Sequence, residues 1–147
     1  MTGHMLPRCF FAFCIVCAAS LFAGHRSFAQ EADVPIDLLG KWKAETIEGT
    51  EVVAGSASLL EFEEAGTVDG NGGCNTIFGP LRIDDRNIRI GPLSVTRKSC
   101  PPDILNQEKD FLKALAKTRD FKKLPGEKAL LLLDGQGEEV VRLVEVR

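Results

Sequence analysis

The chain has 147 residues, with 18 basic and 21 acidic side chains; 44% of its residues are hydrophobic and 27% are charged. This length suits one domain, and the composition excludes a disordered chain and a polytopic membrane protein. The formal net charge of -3 disfavours a nucleic-acid partner, because such proteins usually carry a basic stripe.

The N-terminus has the three-part layout of a secretory signal peptide. A short segment with Arg8 precedes an apolar run at 9–23, and a polar stretch then ends Ser27-Phe28-Ala29, with small residues at its first and last positions. The run is shorter than the about 20 residues that a membrane span needs. We expect cleavage after Ala29 and a periplasmic chain with no stable membrane span; an uncleaved N-terminal anchor is the alternative.

Cleavage after Ala29 would leave a mature chain, residues 30–147, without histidine. His4 and His25 leave together with Arg8 and Arg26, so 16 basic and 21 acidic residues remain, a net charge of -5. Ser-His-Asp and Cys-His catalysis and histidine-ligated metals are then excluded. We therefore expect a protein that is not an enzyme and that holds no cofactor or metal.

Two cysteines remain in the mature chain, Cys74 and Cys100. An even count in an exported chain favours a disulfide, with two buried free thiols as the alternative. For a loop of about 26 positions, the loop-entropy model gives a stabilisation of about 3.5 kcal/mol.

The apolar patterns predict several strands and one helix after a polar linker, Gln30–Asp37. One strand opens at 39–42 and continues through Ala44 toward Thr46, and another begins at 67–68; further segments with strand character are 58–63, 76–83, 87–90, 93–96, 128–134 and 139–146. The sequence Asp134-Gly135-Gln136-Gly137 is typical of a hairpin between the last two strands. This element order predicts an α+β domain whose antiparallel sheet is covered by a single helix.

The helix is predicted to begin near Pro101-Pro102-Asp103 and to end near Lys117-Thr118. Proline is tolerated in a first turn, and an acidic residue there meets the positive end of the helix dipole. Lysines recur every fourth residue and should mark the face toward water. They are Lys109, Lys113 and Lys117.

The glycine-rich segment Asp69–Asn75 is interpreted as a structural turn. It lacks the Gly-Lys-Ser/Thr ending of a phosphate loop, and no helix follows it. Cys74 occupies the place where a calcium loop needs its glycine. We therefore expect Cys74 to fasten this turn to the segment that precedes the helix.

Glu108 is an acidic residue in the apolar stripe of the predicted helix. It lies four residues after Ile104 and three before Phe111, so all three share one face. A carboxylate at such a position needs hydrogen-bond donors or a raised pKa. We expect a structural role, with Thr96 and the Gly72-Gly73 amides as donors; a catalytic or ligand-binding acid is the alternative.

Several motifs together resemble the META domain family, which includes HslJ-like exported proteins. They are Gly40-Lys41-Trp42, Gly70-x-Gly72-Gly73-Cys74-Asn75-Thr76, Gly79, Thr96-x-x-Ser99-Cys100 and Glu108-x-x-Phe111-Leu112-x-x-Leu115. The resemblance implies a domain at 38–147 with a curved antiparallel sheet around one helix, and no enzymatic activity. The residues that it marks as structural are Trp42, Gly73, Asn75, Thr96 and Glu108.

Two classes of function remain open. The family resemblance implies an envelope protein that supports heat or antibiotic stress tolerance, novobiocin included, through an unknown protein or small-molecule partner. The alternative is an inhibitor of an exported protease or other hydrolase, for which Gln30–Asp37 would supply a protruding arm. A monomer is favoured in both cases.

Overall fold

The computed structural model describes residues 34–146, which form ten strands and one helix. The predicted signal peptide and its cleavage site lie outside this range. No helix within it is long and apolar enough to cross a membrane. The elements are β1 (Gly40–Ile47), β2 (Thr50–Glu51), β3 (Leu59–Glu63), β4 (Thr67–Asn71), β5 (Thr76–Asp84), β6 (Asn87–Ile90), β7 (Ser94–Val95), α1 (Pro102–Lys117), β8 (Asp120–Leu124), β9 (Ala129–Leu133) and β10 (Glu139–Val146).

The strands form one antiparallel sheet that curves until its ends meet. The strand order is β10-β9-β8-β6-β5-β4-β3-β1-β2, and β10 also pairs with β1. Within the described range, β6 and β8 are joined through the single pair Asn87↔Asp120, so the sheet is not a regular barrel. The predicted α+β class, with a curved antiparallel sheet, one helix and one disulfide, is confirmed.

The side-chain alternation of the strands separates a buried face from an exposed one. Along β5, every second residue from Ile77 to Ile83 is buried, and the residues between them are exposed. The buried side of the sheet packs around large side chains such as Trp42, Phe62 and Phe111. This alternation is the reason that most strands were predictable.

Helix α1 covers the inner side of the sheet. Pro102 and Asp103 lie in its first turn, and at its end the Thr118 hydroxyl donates to the Ala114 carbonyl oxygen (3.0 Å). Its buried residues are Glu108, Phe111, Ala114 and Leu115. Its three regularly spaced lysines are exposed, as the sequence pattern predicts.

Several segments differ from the sequence expectation, including β2, which was not predicted. Strand β8 was not predicted, and the glycine-rich segment begins as a strand, because 69–71 belong to β4. At the N-terminal end, Val34 is buried in the core with Leu38, whose N–H donates to the Pro35 carbonyl oxygen (2.8 Å). The part of the expected linker within the described range therefore packs against the domain.

Candidate functional site

The Glu108 carboxylate is buried and accepts three hydrogen bonds from one turn. The backbone N–H groups of Cys74 and Asn75 donate to its Oε2 at 3.0 and 2.6 Å. The Asn75 side-chain Nδ2 donates to Oε1 at 2.7 Å. Because the side chain is only 5% exposed, these donors replace the water that an ionised carboxylate would otherwise require.

The donors are not the predicted Gly72 and Gly73 amides. The Gly72 N–H donates to the Asn75 carbonyl oxygen (2.8 Å), and the Gly73 N–H donates to Oδ1 of Asn71 (2.8 Å). Gly72 instead provides space, because a Cβ there would lie 2.7 Å from Cγ of Glu108. Gly73 has φ +135°, a backbone conformation that favours glycine.

Asn75 connects the helix to the segment that leads to Cys100. Its Oδ1 accepts hydrogen bonds from the Thr96 hydroxyl (3.1 Å) and from the Lys98 N–H (2.6 Å). The Thr96 hydroxyl accepts in turn from the Thr76 N–H (3.0 Å). Thr96 therefore reaches Glu108 only through Asn75, not as the direct donor that we expected.

A disulfide joins this same turn to the segment that precedes the helix. Cys74 and Cys100 are bonded, with a Cα–Cα distance of 6.1 Å and a sequence separation of 26. The predicted disulfide is confirmed, and the alternative of two free thiols is wrong. Cys74 also donates its N–H to Glu108. The glycine-rich turn is therefore fastened twice, by the disulfide to the segment before the helix and by the hydrogen bond to the helix itself.

The electrostatics of Glu108 do not suit a general acid. Burial raises the pKa of Glu108, but hydrogen bonds from the Asn75 side chain, the Asn75 N–H and the Cys74 N–H together outweigh it. The resulting pKa lies below the ordinary value of 4.5. A group that is ionised at neutral pH and saturated with donors is poorly placed to give a proton to a substrate.

Trp42 lies in the core, whereas three adjacent acidic pairs of the chain lie in water. Trp42 is buried, and its Nε1–H donates to the Leu38 carbonyl oxygen (2.8 Å). The adjacent acidic pairs are all exposed: Glu63-Glu64, Asp84-Asp85 and Glu138-Glu139. Among residues 34–146, no group of three or more His, Cys, Asp or Glu side chains is arranged to hold a metal ion.

Gln107 is a positioning residue that the sequence reasoning missed. Its Oε1 accepts from the Val53 N–H, and its Nε2 donates to the hydroxyls of Ser56 (2.7 Å) and Ser58 (3.1 Å). It thus holds the segment between β2 and β3 against the helix, one residue before Glu108 holds the glycine-rich turn. Its spacing of four residues from Phe111 was the available signal, because it places Gln107 beside the buried stripe.

An open cleft of about 500 Å³ lies beside Gln107, between the β1–β2 hairpin and the helix. One wall comes from Ile47, Glu48 and β2, and the other from helix residues between Asp103 and Lys117. This volume falls within the range of small-ligand sites. Lys117 and Glu48 bridge the cleft at 2.8 Å, and this hydrogen bond raises the pKa of Lys117.

A curved antiparallel sheet covered by one helix, with a disulfide fastening a glycine-rich turn to the helix start, defines a class of small α+β domain. The sequence model of the META domain family matches residues 36–147. This chain therefore belongs to the META domain family. A comparison with curated proteins found no match.

Solved structures show the same fold at low sequence identity. A protein from Burkholderia xenovorans, studied by NMR, has 18% identity and a TM-score of 0.58 over 79% of this chain and 83% of that chain. Another NMR structure has 16% identity and a TM-score of 0.57, covering 73% and 89%. The crystal structure of a DUF4847 family protein from Bacteroides vulgatus has 15% identity and a TM-score of 0.50, covering 76% and 95%.

Proposed function

We propose that this chain is an exported, non-catalytic META domain that binds a protein or a small molecule in the cell envelope. Through this contact it supports tolerance of heat or antibiotic stress. Two features support export: the signal-like N-terminus, and the disulfide, because disulfides persist mainly in oxidising compartments. Intact-mass measurement of the secreted chain should find an N-terminus at Gln30; retention of residues 1–29 would contradict export with cleavage.

The observation that carries the binding role is the cleft between the β1–β2 hairpin and α1. Its two walls are held together, because Gln107 on α1 accepts from the Val53 N–H and donates to the Ser56 hydroxyl (2.7 Å). Pre-formed concave sites on rigid elements are typical of ligand binding. The saturated Glu108 carboxylate and the lowered pKa of Glu108 support a non-catalytic role.

The test is affinity capture from periplasmic extract with a cleft-blocked variant. Thr50 lines the cleft on the two-residue strand β2, so Thr50→Trp should fill part of it. Ser94→Trp is the matched control, since Ser94 is also exposed, on the two-residue strand β7, and does not line the cleft. A ligand or partner captured by the wild type and by Ser94→Trp, and lost with Thr50→Trp, is the expected result; equal capture by all three would refute the cleft as the site.

One observation favours the alternative function, inhibition of an exported hydrolase. Ile36 is 86% exposed, while Val34 and Leu38 on either side of it are buried. A short anchored turn thus presents a single apolar side chain, which is the kind of rigid protrusion that an inhibitor inserts into an enzyme. Capture of a protease that Ile36→Ser abolishes, and that Thr50→Trp leaves intact, would establish this second function.

A further inference from the structure

The cleft beside Gln107 carries more negative than positive side chains. Six of its lining residues are charged: Glu48, Glu51, Asp103, Asp110, Lys113 and Lys117. Four carboxylates therefore face two ammonium groups. An excess of carboxylates around a concave site attracts cations and disfavours anionic ligands.

Both lysines of the cleft already have a carboxylate partner. Lys117 lies 2.8 Å from Glu48, and Lys113 lies 4.0 Å from Asp110. Within residues 34–146, neither Glu51 nor Asp103 has a lysine or arginine nitrogen at ion-pair distance. These two carboxylates, on opposite walls, are the available acceptors for a cation that enters from solvent.

The two available carboxylates are not equivalent. Asp103 is in the first turn of α1, where the positive end of the helix dipole offsets part of its charge. Glu51 is on β2 and has no such compensation. Glu51 should therefore contribute more to the attraction for a cation than Asp103 does.

The cleft also has an apolar component. Ile47 and Val53 contribute to its lining, and the Gln107 amide at its floor is already engaged with Val53, Ser56 and Ser58. A ligand with a charged head and an aliphatic stem fits such a surface, since the stem contacts the apolar wall while the head meets the carboxylates.

We propose that this cleft binds a primary amine or guanidinium carried on a short aliphatic chain, with Glu51 and Asp103 contacting the cation. This inference rests on the proposed binding function and names the chemistry of its ligand. The same chemistry occurs in free aliphatic polyamines and in the lysine or arginine side chains of peptides. A titration with probes of both kinds separates these two sources.

The test is an NMR titration of ¹⁵N-labelled mature chain with four probes. They are 1,5-diaminopentane, the blocked tripeptide Gly-Lys-Gly, 1,5-pentanediol and glutarate. Shifts confined to the cleft with the two cationic probes are expected, with little change for the neutral and anionic ones. Tighter binding of the tripeptide indicates a peptide side chain, and tighter binding of the diamine indicates a free amine; either result supports the inference.

Matched charge-neutralising variants locate the contact. Glu51→Gln should weaken the affinity for the better cationic probe about tenfold, equivalent to about 1.4 kcal/mol, and Asp103→Asn should weaken it less. Asp85→Asn removes one exposed carboxylate from the β5–β6 turn, away from the cleft lining, and should leave the affinity unchanged. Equal losses for Glu51→Gln and Asp85→Asn would overturn the inference, because the attraction would then come from net charge alone.

The failures of the two proposals are distinguishable. If the diol or glutarate shifts the cleft resonances as strongly as the amines do, the ligand class is wrong while the cleft remains a binding site. If no probe shifts them, the inference is overturned, and capture with Thr50→Trp still tests the proposed function separately.

Discussion

Glu108 shows how a charged residue can belong to a protein core. It is part of the buried face of α1, next to Phe111 and Leu115 in the interior. The turn at 72–75 offers backbone N–H groups that would have no partner if this residue were apolar. A buried donor without an acceptor is costly, so the carboxylate and the turn stabilise each other.

Removal of the carboxylate should destabilise the fold. Glu108→Ala leaves the donors of Cys74 and Asn75 unpaired, and we expect it to lower the free energy of unfolding by about 1–3 kcal/mol. Glu108→Gln keeps one acceptor oxygen and should cost less. Denaturant unfolding curves check this, with Glu64→Ala as the exposed control. If Glu108→Ala unfolds at the wild-type midpoint, the structural role is wrong.

The same residue should give the fold a defined pH dependence. Burial raises the pKa of Glu108, but its hydrogen bonds outweigh this, so the folded-state pKa lies below the ordinary value of 4.5. The unfolded chain then binds more protons than the folded chain between these two pKa values, and stability rises with pH there. The contribution of Glu108 is therefore present above about pH 4.5 and is lost as the pH falls through the folded-state pKa.

The measurement is the difference in unfolding free energy between the wild type and Glu108→Gln, followed with pH. We expect the difference to be constant from neutral pH down to about pH 5 and to shrink at lower pH. The exposed carboxylates act in both proteins, so their effects cancel in the difference. A difference that grows on acidification would contradict the lowered pKa.

At the scale of single elements, the β3–β4 pair contains a local electrostatic conflict. Glu61 and Asp69 lie directly opposite each other across these strands. Burial raises the pKa of Asp69, and the nearby charges of Glu63 and Glu61 raise it further. The ionised form of Asp69 is thus disfavoured in the folded state, which means that the residue opposes folding at neutral pH.

Neutralising this residue should stabilise the sheet. Asp69→Asn removes the like-charge pair, and we expect a gain of about 0.2–1 kcal/mol at pH 7. The gain should disappear at acidic pH, where Asp69 is protonated. Thermal unfolding at the two pH values provides the check, with Asp84→Asn, which faces Asn87 across β5–β6, as the control. An equal gain from Asp84→Asn would assign the effect to net charge instead.

The elements that the sequence predicts well are those with a strong period. Strand β5 alternates between buried and exposed residues, and the buried residues of helix α1 recur at helical spacing. Both patterns were visible in the sequence and predicted the two elements. Strand β8 reads Asp-Phe-Lys-Lys-Leu, and four of its five residues are half-buried, so no alternation marks it. Its pairing with β9 determines its structure, and that is a tertiary effect.

The candidate site was predictable in its members and not in its contacts. The spacing of Glu108 from Ile104 and Phe111 on the predicted helix implied that it is buried, and the even number of cysteines in the mature chain implied the disulfide. Which amides reach the carboxylate depends on the turn geometry: Gly73 has a positive φ, and the N–H groups of the next two residues, Cys74 and Asn75, donate to Glu108. The cleft was not predictable, because the β1–β2 hairpin and α1 are distant in sequence.

For the whole molecule, the disulfide should contribute a large share of the stability. It closes a loop of 26 positions, for which loop entropy gives about 3.5 kcal/mol. The double variant Cys74→Ser/Cys100→Ser should lower the free energy of unfolding by about that amount. Chemical denaturation with and without reductant is the measurement. A reductant that leaves the wild-type midpoint unchanged, although thiol titration shows the bond cleaved, would contradict this contribution.

We propose that the domain supports envelope stress tolerance through a contact in the cleft. The most direct measurement is survival of a strain lacking this protein, at high temperature or with novobiocin, after complementation with matched variants at equal protein levels. The wild type and Ser94→Trp should restore survival, and Thr50→Trp, which occupies the cleft, should not. Full restoration by Thr50→Trp would contradict the account.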